Sequence, residues 1–513
     1  MNNTSQQLLI KLNVDNIINT CITKFGRNKI KDMLKYNLYD NLLLERRQEI
    51  LIDIIKNEEL QNEINDILKS IRELEDIIEL WFGDKDLTIE YKFNNKYLNQ
   101  SIILNIYHKI KSYYPIILIV IYILIYVIFR ISGKVNGIKD FFVCIYENYK
   151  SYLNNLLNNT INNESISNKI AQIIIIIYLF YQMLFLLNIS NEFIINRKHN
   201  KKINEYYDKM NQFIEKAENI YDIDIFMKNE KKNIGNIFDK IDDIFIKRQN
   251  IGQIISIYKN IPNYKMDMMI IINYIGTLDA FITISKMIGQ GYTLPIFIIN
   301  EKPILYIEKI NPQTKINNDL NMEDKQMMII TGPNKSGKST YINSVLMCIL
   351  LSQTLGISPC QKIILTPFHK IILSENSEND YYDLIELTKN KNDNIFIGID
   401  NLFNGINTIE TSAITYAFID YINQCKNVIS LMTTNNYNIN KNSLVKYGKM
   451  DVEYDDVLSK YVYSYKILDG IFDKNINIEL LAEKRYDNEI IKNVIDKIKK
   501  YNIKNKIENN TYW

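Results

Sequence analysis

Glycine, proline, cysteine and histidine are all scarce in this sequence of 513 residues, which contains 16, 8, 5 and 3 of them. The cysteines show no CxxC or other paired spacing, so we expect reduced, partly buried thiols rather than disulphide bonds. The scattered histidines do not suggest a metal site, and the N-terminus lacks the pattern of a cleaved signal peptide. Neither sign of charge is in surplus, because 61 Lys and Arg residues accompany 59 Asp and Glu residues. Composition therefore gives no argument for strong nonspecific DNA binding.

Apolar side chains are abundant, at 47% of the total, and the chain is long enough for two or three domains of about 150 residues. Residues 5–83 repeat apolar side chains at three- and four-residue steps with charges between them, which predicts amphipathic helices. We assign residues 1–112 to a first helical arm. Residues 191–262 return to a polar helical pattern after an apolar interval, and we assign them to a second helical arm.

Two long apolar runs, residues 113–129 and residues 170–189, separate these arms and contain no charged side chain. A helix that spans a bilayer needs roughly 17 to 25 apolar residues, which both runs provide. Aromatic residues such as Tyr113 and Tyr126 lie near the ends of the first run, as interfacial aromatics do. We therefore predict a two-helix transmembrane hairpin with a connecting loop over residues 113–190. The alternative is a pair of buried core helices that coding bias has enriched in isoleucine.

From about residue 263, apolar runs of roughly four to eight residues alternate with helical stretches. This alternation predicts an α/β domain with a mainly parallel sheet and flanking helices over residues 263–513, after an all-α part. The strands are expected in the runs LPIFIIN, MMIIT, KIILT, NIFIGID and NVISLMTT.

Residues 327–340 read MMIITGPNKSGKST and satisfy the GxxxxGK[ST] pattern of a phosphate-binding loop. A strand-like run precedes the loop and a helix-like run follows it, which is the context that the pattern requires. Backbone N–H groups and a helix N-terminus would surround the phosphates of ATP. Lys338 would reach the β- and γ-phosphates, and Ser339 would ligate Mg²⁺. The residues predicted to hold the nucleotide are Gly332, Pro333, Asn334, Lys335, Ser336, Gly337, Lys338, Ser339 and Thr340.

The run NIFIGID ends in Asp400, where a second ligand of Mg²⁺ is expected after a buried strand. Asp400 would hold the metal directly or through water. The alternative is an aspartate that merely ends a strand in a turn.

These motifs resemble those of the MutS family of DNA mismatch-repair ATPases. The loop TGPNKSGKSTY is similar to the family's TGPNxxGKST, with Ser336 where the family has glycine. IDNLFNGINTIE and SLMTTNN resemble the family's acidic motif and its switch segment. The family's mismatch-reading and connector domains have no counterpart, so the chain resembles a short, membrane-associated MutS protein with an ABC-type ATPase domain. The resemblance is moderate over residues 17–83 and good over residues 265–498, where it includes the stretches 274–285, 310–320 and 465–498.

Two positions depart from the family pattern. The family has a glutamate after Asp400 that activates the attacking water, and this chain has Asn401. An amide cannot accept a proton as a carboxylate does, so general-base help, worth about 10²–10⁴-fold, should be lost. The family's switch histidine is replaced by Asn435. The resemblance therefore implies binding of ATP and Mg²⁺ with slow or absent hydrolysis.

The resemblance also implies partners and a location. ATP would clamp the ATPase domains of a homodimer, or of a MutS-like heterodimer, and move the helical arms. DNA is implied as a ligand without mismatch readout, and the ATPase domain would face the cytosol from a membrane anchor. Two other functions stay open: a scaffold at a membrane that binds ATP as a structural ligand, and an active ATPase in which Asp393, Glu410 or a partner's acidic residue supplies the base.

Overall fold

Helices form the N-terminal part of the chain, where apolar side chains recur at three- and four-residue steps. The computed structural model describes residues 15–82, 123–134, 136–158, 204–245, 261–310, 316–375, 390–400, 408–435, 442–455 and 460–472, with a few single residues between them. The labelled helices are α1 (Asp15–Ile18), α2 (Lys24–Lys35), α3 (Asn41–Lys56), α4 (Glu58–Arg72), α5 (Glu75–Phe82), α6 (Ile138–Asn158), α7 (Lys228–Phe245), α8 (Ile261–Met287), α9 (Lys338–Thr354) and α10 (Thr408–Gln424).

The chain divides into two compact units. The first contains residues 1–69, 224–227 and 273–513, and the second contains residues 70–223 and 228–272. The sequence-based division separated the N-terminal helices from the α/β domain, whereas the structure groups α1, α2 and α3 with it. The predicted boundary at residue 263 lies inside α8, which continues unbroken to Met287.

One buried hydrogen-bond cluster shows why the N-terminal helices join the first unit. Thr23 is the N-cap of α2, and its hydroxyl oxygen accepts a hydrogen bond from the Gly26 N–H at 2.9 Å. The Thr23 backbone N–H and hydroxyl both donate to the Asp279 carboxylate on α8, at 2.8 and 2.6 Å. The fully buried Asp279 thus satisfies a helix end that would otherwise keep unpaired donors.

A mainly parallel sheet is confirmed for the C-terminal part. Within the described residues its six strands lie in the order β10-β9-β4-β8-β7-β6, and every neighbouring pair is parallel except β9 with β10. The strands of the chain are β1 (Ile296–Phe297), β2 (Leu305–Ile310), β3 (Asn318–Asn321), β4 (Met327–Thr331), β5 (Lys362–Leu365), β6 (Lys370–Glu375), β7 (Ile395–Asp400), β8 (Val428–Thr434), β9 (Val445–Asp455) and β10 (Lys460–Asp469).

Helices cover both faces of this sheet. Met328 and Ile330 of β4 pack on the α9 side with Ile342, while Met327 and Ile329 pack on the α10 side. All five residues of β4 are buried because its two faces are both covered. This explains why the sequence shows continuous apolar runs rather than alternation.

A second, mixed sheet has the order β1-β5-β2-β3. The run LPIFIIN was expected to be a full strand, but only Ile296 and Phe297 pair, with β5. Ile299 is 87% exposed, so the apolar character of this run does not reflect burial.

Helices form the described part of the second unit, which includes helical residues 123–131 and 204–223 together with α6 and α7. The connection between the two apolar runs was expected to be a loop, but it contains α6, a helix of 21 residues. The run at residues 170–189 lies outside the described residues.

Among the described helices, one stretch, Asn263–Met287 of α8, is long and apolar enough to cross a membrane. In its apolar window 72% is buried inside the protein, which is what a core helix shows, so it gives only weak support for a span.

Candidate nucleotide site

The phosphate loop lies at the carboxyl end of a central strand. β4, between β8 and β9, leads into residues 332–337, and α9 begins at Lys338. The N-cap residue of α9 is Gly337, which has no side chain that could accept hydrogen bonds from the first N–H groups of the helix. A helix N-terminus of this kind attracts anions through its N–H groups and its dipole.

Two glycines are required by the close packing of the loop. A Cβ atom at Gly332 would lie 2.8 Å from Met450 Cγ and 2.9 Å from Ser336 Oγ. Gly337 has φ of +98°, and a Cβ there would lie 3.0 Å from Tyr465 Cδ1. Larger residues would therefore push β9 and β10 away from the loop.

The amine of Lys338 lies inside the loop. It donates hydrogen bonds to the carbonyl oxygens of Gly332 and Pro333, at 2.9 and 2.8 Å, and the residue is only 5% exposed. Burial lowers the pKa of Lys338 to about 8, and the negative charge of Asp400 offsets part of this effect. A buried cation held mainly by neutral carbonyl groups favours an added anion such as a phosphate.

Asp400 ends β7 as the sequence predicted, and it lies close enough to Lys338 for its charge to act on that amine. Its Oδ1 accepts a hydrogen bond from the Thr433 hydroxyl of β8 at 2.7 Å, which fixes the carboxylate between two strands. Ser339, in the first turn of α9, is exposed. The described residues contain no cluster of three or more His, Cys, Asp or Glu side chains suited to a metal. One carboxylate and one hydroxyl fit Mg²⁺, which keeps several waters and takes phosphate oxygens as further ligands.

Asn435 follows the end of β8 and contacts the phosphate loop. Its Nδ2 donates to Asn334 Oδ1 at 2.8 Å, while its own Oδ1 is buried without a hydrogen-bond partner among the described residues. The structure therefore brings position 435 into contact with the phosphate loop. Asn401, the other departing position, lies outside the described residues.

Sequence reasoning missed Tyr465. This residue lies at a bulge in β10 with φ of +58°, and its ring lies against Gly337. The side chain of Asn318 holds the bulge, because Nδ2 donates to Tyr465 O at 3.0 Å and Oδ1 accepts from Ile467 N at 2.9 Å. The alternating tyrosines of YVYSY are compatible with a strand, but they do not stand out in a Tyr-rich chain and do not indicate a position beside the loop.

Ser336, predicted to help hold the nucleotide, also departs from the family pattern. It is 1% exposed, and its hydroxyl makes no hydrogen bond within the described part of the chain. The loop thus contains a buried hydroxyl whose hydrogen-bonding capacity is unused by the described protein groups. Together with the Lys338 amine and the start of α9, this donor set fits the phosphates of a nucleotide.

The family model described as MutS domain V matches residues 328–502. The DNA mismatch repair protein MutS of Geobacillus sp. (strain WCH70) is 26% identical over 235 residues, which cover 41% of this chain and 27% of that protein. The DNA mismatch repair protein MSH3 of Vanderwaltozyma polyspora is 27% identical over 261 residues, which cover 45% of this chain and 25% of that protein.

The chain spans about a quarter of the length of these relatives. The C-terminal part of the chain is thus similar to MutS domain V and to MutS and MSH3 proteins at low identity, in agreement with the motif-based resemblance.

Proposed function

We propose that this chain is a MutS-like nucleotide switch that binds ATP with Mg²⁺ and hydrolyses it slowly or not at all. The observation that carries the proposal is the buried amine of Lys338 inside a phosphate loop at the start of α9. ATP supplies the anionic phosphates that this site favours. Lys338 would exchange its carbonyl partners for phosphate oxygens, and the first N–H groups of α9 would bind the same phosphates.

The metal would be held by two protein side chains. The Ser339 hydroxyl and the Asp400 carboxylate would bind Mg²⁺, with phosphate oxygens and waters completing its shell. The Tyr465 ring beside Gly337 offers an aromatic face for the base of the nucleotide.

Weak hydrolysis follows from the amide at position 401. Asn401 cannot take a proton from an attacking water, and Asn435 does not titrate. Asn435 would instead respond to the γ-phosphate through its hydrogen bond to Asn334 in the loop. The site would thus respond to bound ATP through Asn435, but it would cleave ATP slowly or not at all.

A structural path links this site to the N-terminal helices within the first unit. The last turn of α9 contacts the segment that leads into α3. Gln353 Nε2 donates to Leu38 O at 2.7 Å, Leu38 N donates to Gln353 O at 3.3 Å, and Arg47 of α3 donates to Thr354 O. A shift of α9 on phosphate binding would therefore reach α3 directly.

We propose DNA binding because the relatives are DNA mismatch repair proteins, and dimerisation because the motifs of the chain resemble those of the MutS family. ATP would clamp two ATPase domains together, in a homodimer or with a second MutS-like protein. The balanced charge of the chain favours a local DNA contact over a general one. We further propose that the apolar runs at residues 113–129 and 170–189 anchor the chain in a membrane, with the nucleotide site in the cytosol.

The test is ATP binding and phosphate release on one purified sample. Lys338→Ala should abolish ATP binding, because it removes the charge inside the loop, while Lys426→Ala, an exposed lysine after α10, should bind as the unchanged chain does. Phosphate release should stay near background, and Asn401→Glu should raise it by up to about 10²-fold as a general base is restored. Rapid release by the unchanged chain that depends on Lys338 would contradict the proposed weak hydrolysis.

A scaffold that uses ATP as a structural ligand is the second candidate, favoured by the two amides at positions 401 and 435. Hydrogen exchange separates it from the switch. ATP should slow amide hydrogen exchange in α3 if nucleotide binding moves the first helical arm. It should leave the exchange rates of α3 unchanged if ATP is only a structural ligand.

A further inference from the structure

A stripe of exposed apolar side chains runs along the helical residues 120 and 123–131 of the second unit. Its members follow the spacing i, i+3, i+4, i+7, i+8, i+11, which puts them on one face of a helix. Each is between 40% and 81% exposed. We call this face the apolar stripe, and it consists of Val120, Ile123, Leu124, Val127, Ile128 and Ile131.

The other side of the same helix is packed. The rings of Tyr126 and Phe129 contact Phe141 of α6, with centroid distances of 5.3 and 5.9 Å. Phe141 is only 5% exposed, so it lies at the centre of a helical hairpin whose described turn residues are 132–134, 136 and 137. The apolar stripe therefore points away from the packed interior of the hairpin.

The exposed apolar surface continues beyond the turn. Ile138, Phe142 and Val143 at the start of α6 are 66%, 62% and 52% exposed. Large exposed apolar patches on soluble proteins mark surfaces that bind a partner or a membrane.

Basic side chains surround the turn between the two helices. Arg130, Lys134 and Lys139 are all exposed there, with Asp140 as the single acidic neighbour between residues 130 and 143. Positive charges at the end of an apolar helical face are typical of surfaces that bind anionic lipid headgroups.

We propose that the apolar stripe and this basic turn form a docking surface for an anionic lipid bilayer. The apolar side chains enter the boundary between headgroups and acyl chains, while the three basic side chains bind lipid phosphates. Nucleic acid would use the basic turn but leave the stripe in water. A second copy would bring two basic turns together at a cost in repulsion. The bilayer is the one occupant that uses both features.

This inference deepens the membrane part of the proposed function and is independent of the nucleotide site. A spanning helix is apolar on all sides, whereas this helix uses one side against α6 and the other against lipid. Five of the six stripe residues belong to the apolar run at residues 113–129, so docking by the stripe and a span by that run exclude each other. Docking by the stripe depends on lipid charge, whereas anchoring by spanning helices does not.

The test is flotation of the full chain with phosphatidylcholine vesicles, with and without phosphatidylserine. The unchanged chain should bind vesicles that contain phosphatidylserine more strongly, and less so at high salt. Ile128→Asp combined with Ile131→Asp should lower binding by about tenfold or more, because buried apolar area is lost. Ile299→Asp is the matched control, since Ile299 is 87% exposed and belongs to the first unit.

Charge is tested on the same hairpin. Lys134→Glu and Lys139→Glu should each lower binding by at least about fivefold, which is the effect expected for the loss of one lysine near an anionic surface. Lys150→Glu, eleven positions after Lys139 on α6, should have little effect. Circular dichroism and ATP binding of every variant should match the unchanged chain, which keeps the result separate from the nucleotide function.

Several results would overturn the proposal. These are equal binding by all variants, binding that resists alkaline carbonate and ignores lipid charge, and the absence of vesicle binding. The first two would point to anchoring by the apolar runs alone. Conversion of an oligomer to a monomer by the Ile128 and Ile131 changes, with vesicle binding intact, would assign the stripe to a second copy. If Lys134→Glu and Lys139→Glu abolished DNA binding but left vesicle binding intact, the basic turn would be assigned to nucleic acid.

Discussion

Lys338 illustrates at the residue scale how burial prepares a binding site. Its amine is surrounded by protein and bonded to two backbone carbonyls, and this burial lowers its pKa to about 8. The loop therefore contains a cation whose charge is marginal near neutral pH. An anionic phosphate would restore the protonated form, because opposite charge raises the pKa of an amine.

This pKa predicts how ATP affinity changes with pH. Phosphates prefer the protonated amine, so affinity should be full below about pH 8. It should weaken by up to about tenfold per pH unit as the pH rises above that value. Titration calorimetry between about pH 7 and about pH 9 measures the change. Lys338→Arg is the control, because a guanidinium stays charged over this range. A flat profile for the unchanged chain would contradict the assigned role of the amine.

At the scale of elements, α9 connects the nucleotide site with α3. The helix begins at the phosphate loop and ends at Thr354, whose carbonyl oxygen accepts a hydrogen bond from Arg47. Burial lowers the pKa of Arg47 to about 10, and a Cβ atom added at Gly356 would lie 3.4 Å from the side-chain carbons of Arg47. A cation at a helix C-terminus interacts favourably with the helix dipole.

Removing this cation should uncouple the two helices. Arg47→Met should destabilise the first unit by about 1–2 kcal/mol, since Thr354 loses its partner and the helix end loses a favourable charge. ATP should still bind, but its effect on hydrogen exchange in α3 should disappear. Glu49→Gln, at an exposed position of α3, should retain both properties. If ATP still protected α3 of Arg47→Met from hydrogen exchange to the same extent, the effect of ATP on α3 would have to be transmitted through other contacts.

At the scale of the whole molecule, the two compact units should respond differently to pH. In the second unit, the pKa of Glu218 is raised to about 7 by burial and then by its hydrogen bond to Asp242 and the charge of that residue. Asp222 and Asp239 add smaller repulsive effects in the same direction. The folded second unit therefore binds a proton more tightly than its unfolded chain does.

The sign of the effect follows from this difference. A folded pKa above the unfolded value of 4.5 means that stability is highest at acid pH and falls as the pH rises from about 4.5 to about 7. Hydrogen exchange of α7 at several pH values would measure this loss. Glu218→Gln should remove most of the pH dependence of stability. Glu215→Gln, at an exposed position of the helix at residues 204–223 that also contains Glu218, should leave the pH dependence in place. Increasing protection of α7 over this pH range would contradict the prediction.

The sequence determined the local features of the molecule. Buried strands such as MMIIT and NVISLMTT, the loop at residues 332–340 and the strand-ending Asp400 were all readable, because apolar runs, glycines and a lysine have direct local consequences. β9 and β10 were missed because their polar and aromatic composition resembles the Asn- and Tyr-rich background of the chain. The prediction of a loop between the two apolar runs was wrong for residues 138–158, which form α6. Their apolar side chains have the spacing of a helix.

Tertiary structure alone decided which distant residues meet. Tyr465 reaches Gly337 because β10 is the edge strand beside β9, and Arg47 reaches Thr354 because α3 belongs to the same unit as α9. The sequence also could not show that Ile128 and Ile131 are exposed, because the same apolar residues can form a buried face or an exposed one. Local residue chemistry is written in short stretches of sequence, whereas burial and long-range contact depend on which elements pack together.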